Sequence, residues 1–176
     1  MKKQEKITLL ERAIANIELC DCYFSYDKNY FCYYPNAVNE KFILGQEEND
    51  FLLDGYAIRK ISHLKKVELK NDKCNEINKE LGVTAQVHSP KIDISSWQSI
   101  FHSLKALNDI IIIEDEFNED FSIGIIKKVL KNKLYFLEFD ADGIWNNHQI
   151  EIPYSAITSV KWNTRYATGW KKYLKI

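Results

Sequence analysis

Apolar residues recur at helical spacing in two places, and each place is followed directly by short segments rich in β-branched and aromatic residues. Spacings of three and four put apolar side chains on one face of a helix. The first series comprises Leu10, Ala13, Ile14 and Ile17, and the second comprises Trp97, Phe101, Leu104 and Leu107. The pattern predicts two units, each a helix followed by strands.

The second unit has the clearer pattern of helix, strand and turn signals. Ser95-Ser-Trp-Gln98 fits a capping box, which predicts a helix from there to about Leu107. Alternation and β-branched content predict five strands, at 110–113, 121–126, 133–139, 149–152 and 157–162. A one-turn connection at 153–156, before the last strand, is typical of a small barrel.

The first unit shows the same order in a less regular pattern. Strands are predicted at 20–26, 30–34, 42–46, 51–59 and 65–69, with a turn at 61–63 before the last and a short helix from about Asn71 to Leu81. The following stretch has no helical period and contains Ser89-Pro90, which favours a linker. The predicted domains are therefore 1–83 and 95–176, joined by a linker at 84–94.

An internal repeat is predicted from the ends of the two units. Residues 54–69 align without a gap on residues 147–162, so that Ser62 meets Ser155 and Val67 meets Val160. If the repeat is real, both stretches form the last two strands of equivalent units.

The strand segments of the second unit also resemble a known family. Phe121-Ser-Ile-Gly-Ile-Ile, Leu134-Tyr-Phe-Leu-Glu-Phe-Asp140 and Ile150-Glu-Ile with Ile157 resemble the two-part signature of Sm-like small barrels, and 56–59 with Leu64 and Val67 resembles its second part. The resemblance implies a mainly β fold with flanking helices: two tandem small β-barrels, Sm-like or Src-homology-like, each preceded by a helix. Only Asn132 lies near the place of the family's RNA-contacting Asp and Asn, and Ile152-Pro153 stands where the Arg-Gly turn is expected. The resemblance therefore implies the barrel shape rather than RNA binding.

Composition limits the classes of protein that fit. The chain has 176 residues, 45% of them hydrophobic, which is enough for an ordinary core and argues against disorder. Its 24 basic and 25 acidic residues give a net charge of -1 and no general attraction to nucleic acid or anionic membranes.

The N-terminus and the cysteines predict a compartment. The apolar stretch 7–10 ends at Glu11 and Arg12 and is too short for the apolar core of a signal peptide. No apolar run approaches the ~18 residues of a membrane span. We expect a soluble, cytoplasmic protein with no membrane partner. The four cysteines, Cys20, Cys22, Cys32 and Cys74, are then expected to be reduced thiols.

No motif predicts catalysis, a metal or a cofactor. Cys20-x-Cys22 has the wrong spacing for a zinc knuckle, because a one-residue gap on a strand points both sulfurs to one face. Asp140-Ala-Asp-Gly143 lacks the sixth-position Gly of a calcium loop and is predicted to be a hairpin turn with Gly143 at positive φ. Nucleotide fingerprints, phosphate loops and nucleophile motifs are absent from the sequence. We predict no catalytic residue, no metal ligand and no cofactor.

Three features are candidates for a binding surface. The first is an acidic loop, Glu114, Asp115 and Glu116 with Glu119 and Asp120, which is either a solvated turn or a place for a raised pKa or a hard cation; the solvated turn is favoured. The second is Trp145, expected at an exposed hairpin tip where it would serve as a contact anchor.

The third candidate is the C-terminal stretch 157–176, which has basic and aromatic residues but no acid. Its cations are Lys161, Arg165, Lys171, Lys172 and Lys175, interleaved with Trp162, Tyr166, Trp170 and Tyr173. Such a pattern serves single-stranded nucleic acid binding through phosphate contacts and stacking. Tyr166, Trp170 and Tyr173 also fit one helical face, and docking of that face on the core is the favoured alternative.

These observations predict a non-catalytic binding module for another protein, regulatory or toxin-neutralising, in a bacterium-like cytoplasm. The acidic loop and basic tail would supply opposite charges that steer the partner. The second hypothesis is an Sm-like protein that binds RNA or single-stranded nucleic acid through the tail. An enzyme ranks third, and the oligomeric state is left open.

Overall fold

The computed structural model describes all residues, Met1–Ile176, and divides the chain into two compact units, Met1–Pro90 and Lys91–Ile176. It contains ten strands and four α-helices. The division falls inside the segment 84–94 that the sequence analysis took as a linker. The prediction of a mainly β fold with flanking helices is confirmed.

The first unit is a helix followed by five antiparallel strands in the order β5-β1-β2-β3-β4. Its elements are α1 (Lys3–Asn16), β1 (Cys20–Phe24), β2 (Tyr30–Val38), β3 (Phe42–Asn49), β4 (Leu52–Lys60), a 3-10 helix (Ile61–His63), β5 (Leu64–Leu69), α2 (Lys73–Glu80) and a second 3-10 helix (Thr84–Gln86). The last of these lies within the predicted linker, and Thr84 Oγ1 is 3.2 Å from the Tyr34 hydroxyl.

The core of the first unit lies between α1 and one face of the sheet. Alternation along β1 turns Cys20, Cys22 and Phe24 toward Leu10 and Ala13 of the helix. Register shifts in the pairs β1–β5, β2–β3 and β3–β4 interrupt the ladders. Such irregularities bend strands, which lets a five-stranded sheet curve around its core.

The second unit has the corresponding order, β10-β6-β7-β8-β9, again antiparallel. Its elements are α3 (Trp97–Leu107), β6 (Ile111–Asp115), β7 (Asp120–Val129), β8 (Lys133–Glu138), β9 (Ile150–Pro153), β10 (Ser159–Trp162) and α4 (Arg165–Leu174). The N-cap of α3 is Ser96, whose hydroxyl accepts the Ser99 amide at 3.1 Å, one residue later than the capping-box pattern predicts.

The second sheet is apolar on both faces at β6, because successive side chains of the isoleucine run 110–113 point to opposite faces. Ile110 and Ile112 join Ile123, Phe139 and Ala167 in one cluster, and α4 covers it. Ile111 and Ile113 are buried on the other side of the strand. Helix α3 buries Ile100, Phe101 and Leu104, and the Phe101 ring stacks on Tyr154 with centroids 5.5 Å apart.

Barrel closure is not observed: the sheet of each unit is open. Within their units, β4 and β5 do not pair with each other, and neither do β9 and β10, which have only four residues each. The stretches 54–69 and 147–162 each contain the last two strands of their unit with a short turn between them. The internal repeat itself stays a prediction.

The helices are all too short or too polar to span a membrane.

Candidate binding groove on the second unit

The terminal helix α4 docks on the second unit through only part of its predicted aromatic face. It begins where the Thr164 hydroxyl accepts the Ala167 amide at 3.0 Å. Ala167 is buried, and the half-buried Trp170 packs on Phe139 with ring centroids 5.0 Å apart. Tyr166 and Tyr173 stay 55% and 70% exposed. The docking interpretation therefore holds for Trp170 but not for the two tyrosines.

Trp145 is not the exposed anchor that the sequence analysis expected. The turn closes earlier, where the Asp140 carbonyl accepts the Gly143 amide at 3.0 Å and Asp140 Oδ1 accepts the Ile144 amide at 2.9 Å. Gly143 has a φ of +78°, as predicted. The chain then returns across Phe139, and the half-buried Trp145 ring lies 5.1 Å from the Phe139 ring. The tip of the connection is Ala141 and Asp142.

An open groove of about 580 Å³ lies between this turn and α4. We call it the aromatic groove; its lining consists of Ala141, Asp142, Arg165, Tyr166, Gly169, Trp170 and Tyr173. A row of aromatic rings begins outside this groove at Phe121 and continues along it, with centroids 6.3 Å apart from Phe121 to Tyr166, 6.3 Å from Tyr166 to Trp170 and 5.8 Å from Trp170 to Tyr173. Since Gly143 lies against the Trp170 and Tyr173 rings without a side chain of its own, the turn can approach the helix closely.

Two more grooves, of about 350 Å³ each, continue this surface. We call one the middle groove; it is lined by Phe121, Ile123, Glu138, Phe139, Asp140, Ala141, Asn146 and Tyr166. We call the other the acidic groove; it is lined by residues 113–115, 120–122, Glu138, 150–153, Ala156 and Ile157. The middle groove shares Ala141 and Tyr166 with the aromatic groove, and it shares Phe121 and Glu138 with the acidic groove beyond it. Seven carboxylates line the three together, against Arg165 as the single cationic side chain: Glu114, Asp115, Asp120, Glu138, Asp140, Asp142 and Glu151.

The acidic loop is more ordered than a solvated turn. Glu114 pairs with Lys161 at 3.0 Å and accepts the Ser159 hydroxyl. Asp115 accepts the Phe117 amide at 3.2 Å and the Asn118 side chain at 2.7 Å, and the Glu116 amide donates to Thr158 Oγ1 at 2.9 Å. These three acids are half-buried, whereas Glu119 and Asp120 are exposed. Only Glu114 and Asp115 of the predicted trio line the acidic groove.

The basic tail does not form one continuous cationic surface. Lys161 is paired with Glu114, and Lys171 is paired with Asp109 at 3.0 Å. Arg165, Lys172 and Lys175 are exposed, and Trp162 is buried in β10. Lys161 and Lys171 are therefore neutralised within the unit.

The pleat of the first sheet places Cys32 on the opposite face from Cys20 and Cys22, and Cys74 lies in α2. Cys20 and Cys22 are buried in the core of the first unit, whereas Cys32 lies opposite Asp21 and its thiol is 3.5 Å from Asp21 Oδ1. The four thiols are unbridged, and no group of three or more His, Cys, Asp and Glu side chains is arranged to hold a metal ion. Burial raises the pKa of Cys20 to about 12 and that of Cys22 well above its ordinary value. Burial also raises the pKa of Cys32 to about 12, despite the nearby Lys70.

We expect these thiols to react slowly with maleimide at neutral pH. Only the thiolate is nucleophilic, and groups with such raised pKa values carry almost none of it. Mass spectrometry should find Cys20 and Cys22 unlabelled in the native protein, and all four cysteines labelled in denaturant. Labelling of native Cys20 at the rate of a free peptide thiol would contradict the buried placement.

Several groove residues were missed in the sequence: Phe121, Glu138, Asp140, Asp142 and Glu151. Phe121 lies in a predicted strand, near the start of β7, and is 51% exposed. These four acids are spread over two strands and a turn, so no local spacing brings them together. No known family model, characterised protein or solved structure matches the chain.

Proposed function

We propose that the protein is a non-catalytic module that binds another protein through the aromatic groove. The observation that supports this proposal is the exposed row formed by Phe121, Tyr166 and Tyr173 beside Trp170. Aromatic side chains are enriched at protein interfaces, where their large apolar faces lose water on binding. A contiguous exposed aromatic surface on a folded unit is typical of an interaction site.

The proposal includes the class of each unit, a tandem pair of strongly bent, Sm-like small-barrel units. The support is the shared order of elements: a helix, five antiparallel strands and a short connection before the last strand. Four unbridged cysteines fit a reducing compartment such as a cytoplasm. The regulatory or toxin-neutralising role in a bacterium-like host belongs to the same proposal.

A second candidate function is binding of single-stranded nucleic acid. The exposed Arg165, Lys172 and Lys175 lie on the same helix as the exposed Tyr166 and Tyr173, which favours phosphate contacts with stacking. The carboxylates that line the three grooves repel phosphate, and the pairing of Lys161 and Lys171 removes two cations. We therefore rank protein binding first.

The test compares tagged wild-type protein with the double variant Tyr166→Ala and Tyr173→Ala in affinity purification from the host. Truncating two interface aromatics should reduce recovery of the partner protein at least about tenfold. Tyr30→Ala is the control, because it removes an exposed tyrosine from the first unit. Equal recovery by all three proteins would contradict the proposed surface.

The same preparations distinguish the nucleic-acid alternative. If the co-purifying material is removed by nuclease, and binding to a single-stranded oligonucleotide falls steeply as salt rises, the second candidate replaces the first. If the material resists nuclease and depends on Tyr166 and Tyr173, protein binding stands.

A further inference from the structure

We infer that the aromatic groove and its two continuations bind an extended, arginine-bearing segment of the partner protein. This inference rests on the proposed function and adds the chemistry of the ligand. It follows from the charge of the surface, from the exposed ring faces and from the continuity of the grooves.

The charge of the lining is strongly one-sided. Lys161 compensates Glu114, and Lys133 compensates Glu151 through a salt bridge. Arg165, in the aromatic groove, is the only cation of the lining, against five remaining acids: Asp115, Asp120, Glu138, Asp140 and Asp142.

Neutral donors hold several of these acids without cancelling their charge. Asp140 accepts backbone amides, and Glu138 accepts the Asn146 side chain at 3.0 Å. Such hydrogen bonds fix the carboxylates in place and leave the negative field of the grooves intact. A cationic ligand complements that field, and an anionic ligand is repelled by it.

The aromatic rings favour arginine among cationic side chains. Tyr166 and Tyr173 expose most of their surface at the groove, on either side of Trp170. A guanidinium can stack on a ring face and offer a planar fork of donors to a carboxylate such as Asp142, which lines the same groove. A lysine ammonium is more strongly hydrated and forms only a point contact.

The continuity of the grooves indicates an extended ligand. Tyr166 belongs to both the aromatic and the middle groove, and Phe121 belongs to both the middle and the acidic groove. The acidic groove also contains Ile150, Ile152 and Pro153, which suit the aliphatic stems of long cationic side chains. Alternate side chains of one extended segment can therefore reach successive grooves.

The probe is a fluorescent peptide of about twelve residues that alternates arginine and serine, which spans roughly 40 Å when extended. It is compared with lysine and glutamate versions of the same length by anisotropy against the full chain. We expect the arginine peptide to bind most tightly, the lysine peptide more weakly and the glutamate peptide not at all.

Two variants locate the binding. The triple change Glu138→Gln, Asp140→Asn and Asp142→Asn keeps the side-chain shape and one acceptor oxygen at each position but removes three charges, and should weaken the arginine peptide about tenfold or more. The control Glu11→Gln, Asp50→Asn and Glu80→Gln removes three charges from exposed positions of the first unit, and should leave binding within about twofold. Tyr166→Ala with Tyr173→Ala should remove the preference for arginine over lysine.

The outcomes separate this inference from the proposed function. Equal binding of the arginine and glutamate peptides, no binding of any peptide, or equal loss with both charge triples overturns the cationic ligand. Recovery of the host partner that still depends on Tyr166 and Tyr173 would then leave the proposed function standing with a ligand of another chemistry. If the arginine peptide is not bound selectively and recovery of the host partner does not depend on Tyr166 and Tyr173, both the cationic ligand and the proposed function are overturned.

Discussion

Glu47→Ala is expected to lower the free energy of unfolding of the first unit by about 3–5 kcal/mol, because it leaves a buried guanidinium without its counter-charge. Arg59 on β4 is 0% exposed, and its guanidinium donates to the Glu47 carboxylate and to the Tyr33 hydroxyl. The same guanidinium lies 4.1 Å from the centroid of the Phe31 ring. Urea unfolding followed by far-ultraviolet circular dichroism measures the loss.

Glu68→Ala is the matched control for this prediction. Glu68 pairs with Lys66 at 2.7 Å on the surface of the same unit, where both side chains are about half exposed. An exposed pair contributes little to stability because water and salt screen it, so the control should shift the unfolding midpoint little. The double change Arg59→Met and Glu47→Leu should recover much of the loss, since it removes both charges together. If Glu47→Ala costs no more than Glu68→Ala, the buried pair is not a stabilising constraint.

The order of elements follows from local pattern, whereas the buried ion pair does not. In Tyr56-Ala-Ile-Arg59, residues 56–58 are buried, and Arg59 would be expected to turn outward to solvent. It stays inside because its side chain reaches Tyr33 and Glu47, which the β2–β3 register places opposite each other. The β3–β4 register pairs Arg59 itself with Ile43. Register between strands is a property of the folded sheet, and a single sequence without its register cannot supply it.

In the candidate site, too, the helix could be predicted from local sequence spacing, whereas the contacts between residues distant in sequence could not. Helical spacing in the tail predicts a helix with Tyr166, Trp170 and Tyr173 on neighbouring positions, and α4 has that arrangement. Neutralisation of Lys161 depends on the antiparallel pair β10–β6, which sets Ser159 opposite Glu114. The tail sequence alone therefore predicts more positive charge than the folded unit presents there, and it does not predict the grooves, whose residues are distant in sequence.

The second unit provides the other large expected effect, at Gly124 on β7. A Cβ built on Gly124 would lie 2.0 Å from the Leu137 carbonyl oxygen and 2.7 Å from the Glu138 Cα, both on the paired strand β8. Because these are backbone atoms, no side-chain rotation relieves the overlap, and the two strands would have to separate. Gly124→Ala should therefore destabilise the second unit by about 3 kcal/mol or more.

Gly169→Ala makes the same chemical change in the same unit with the opposite expected sign. Gly169 lies inside α4, and a Cβ there would meet no atom within 4 Å. Alanine has the higher helix propensity, so this variant should gain ~0.5–1 kcal/mol in the free energy of unfolding.

Tryptophan fluorescence reports the unfolding of the second unit selectively, because all four tryptophans of the chain belong to it: Trp97, Trp145, Trp162 and Trp170. A Gly124→Ala protein that unfolds at the same denaturant concentration as the wild type would show that β7 and β8 do not approach as closely as described; a loss of stability in Gly169→Ala would place α4 in a different environment.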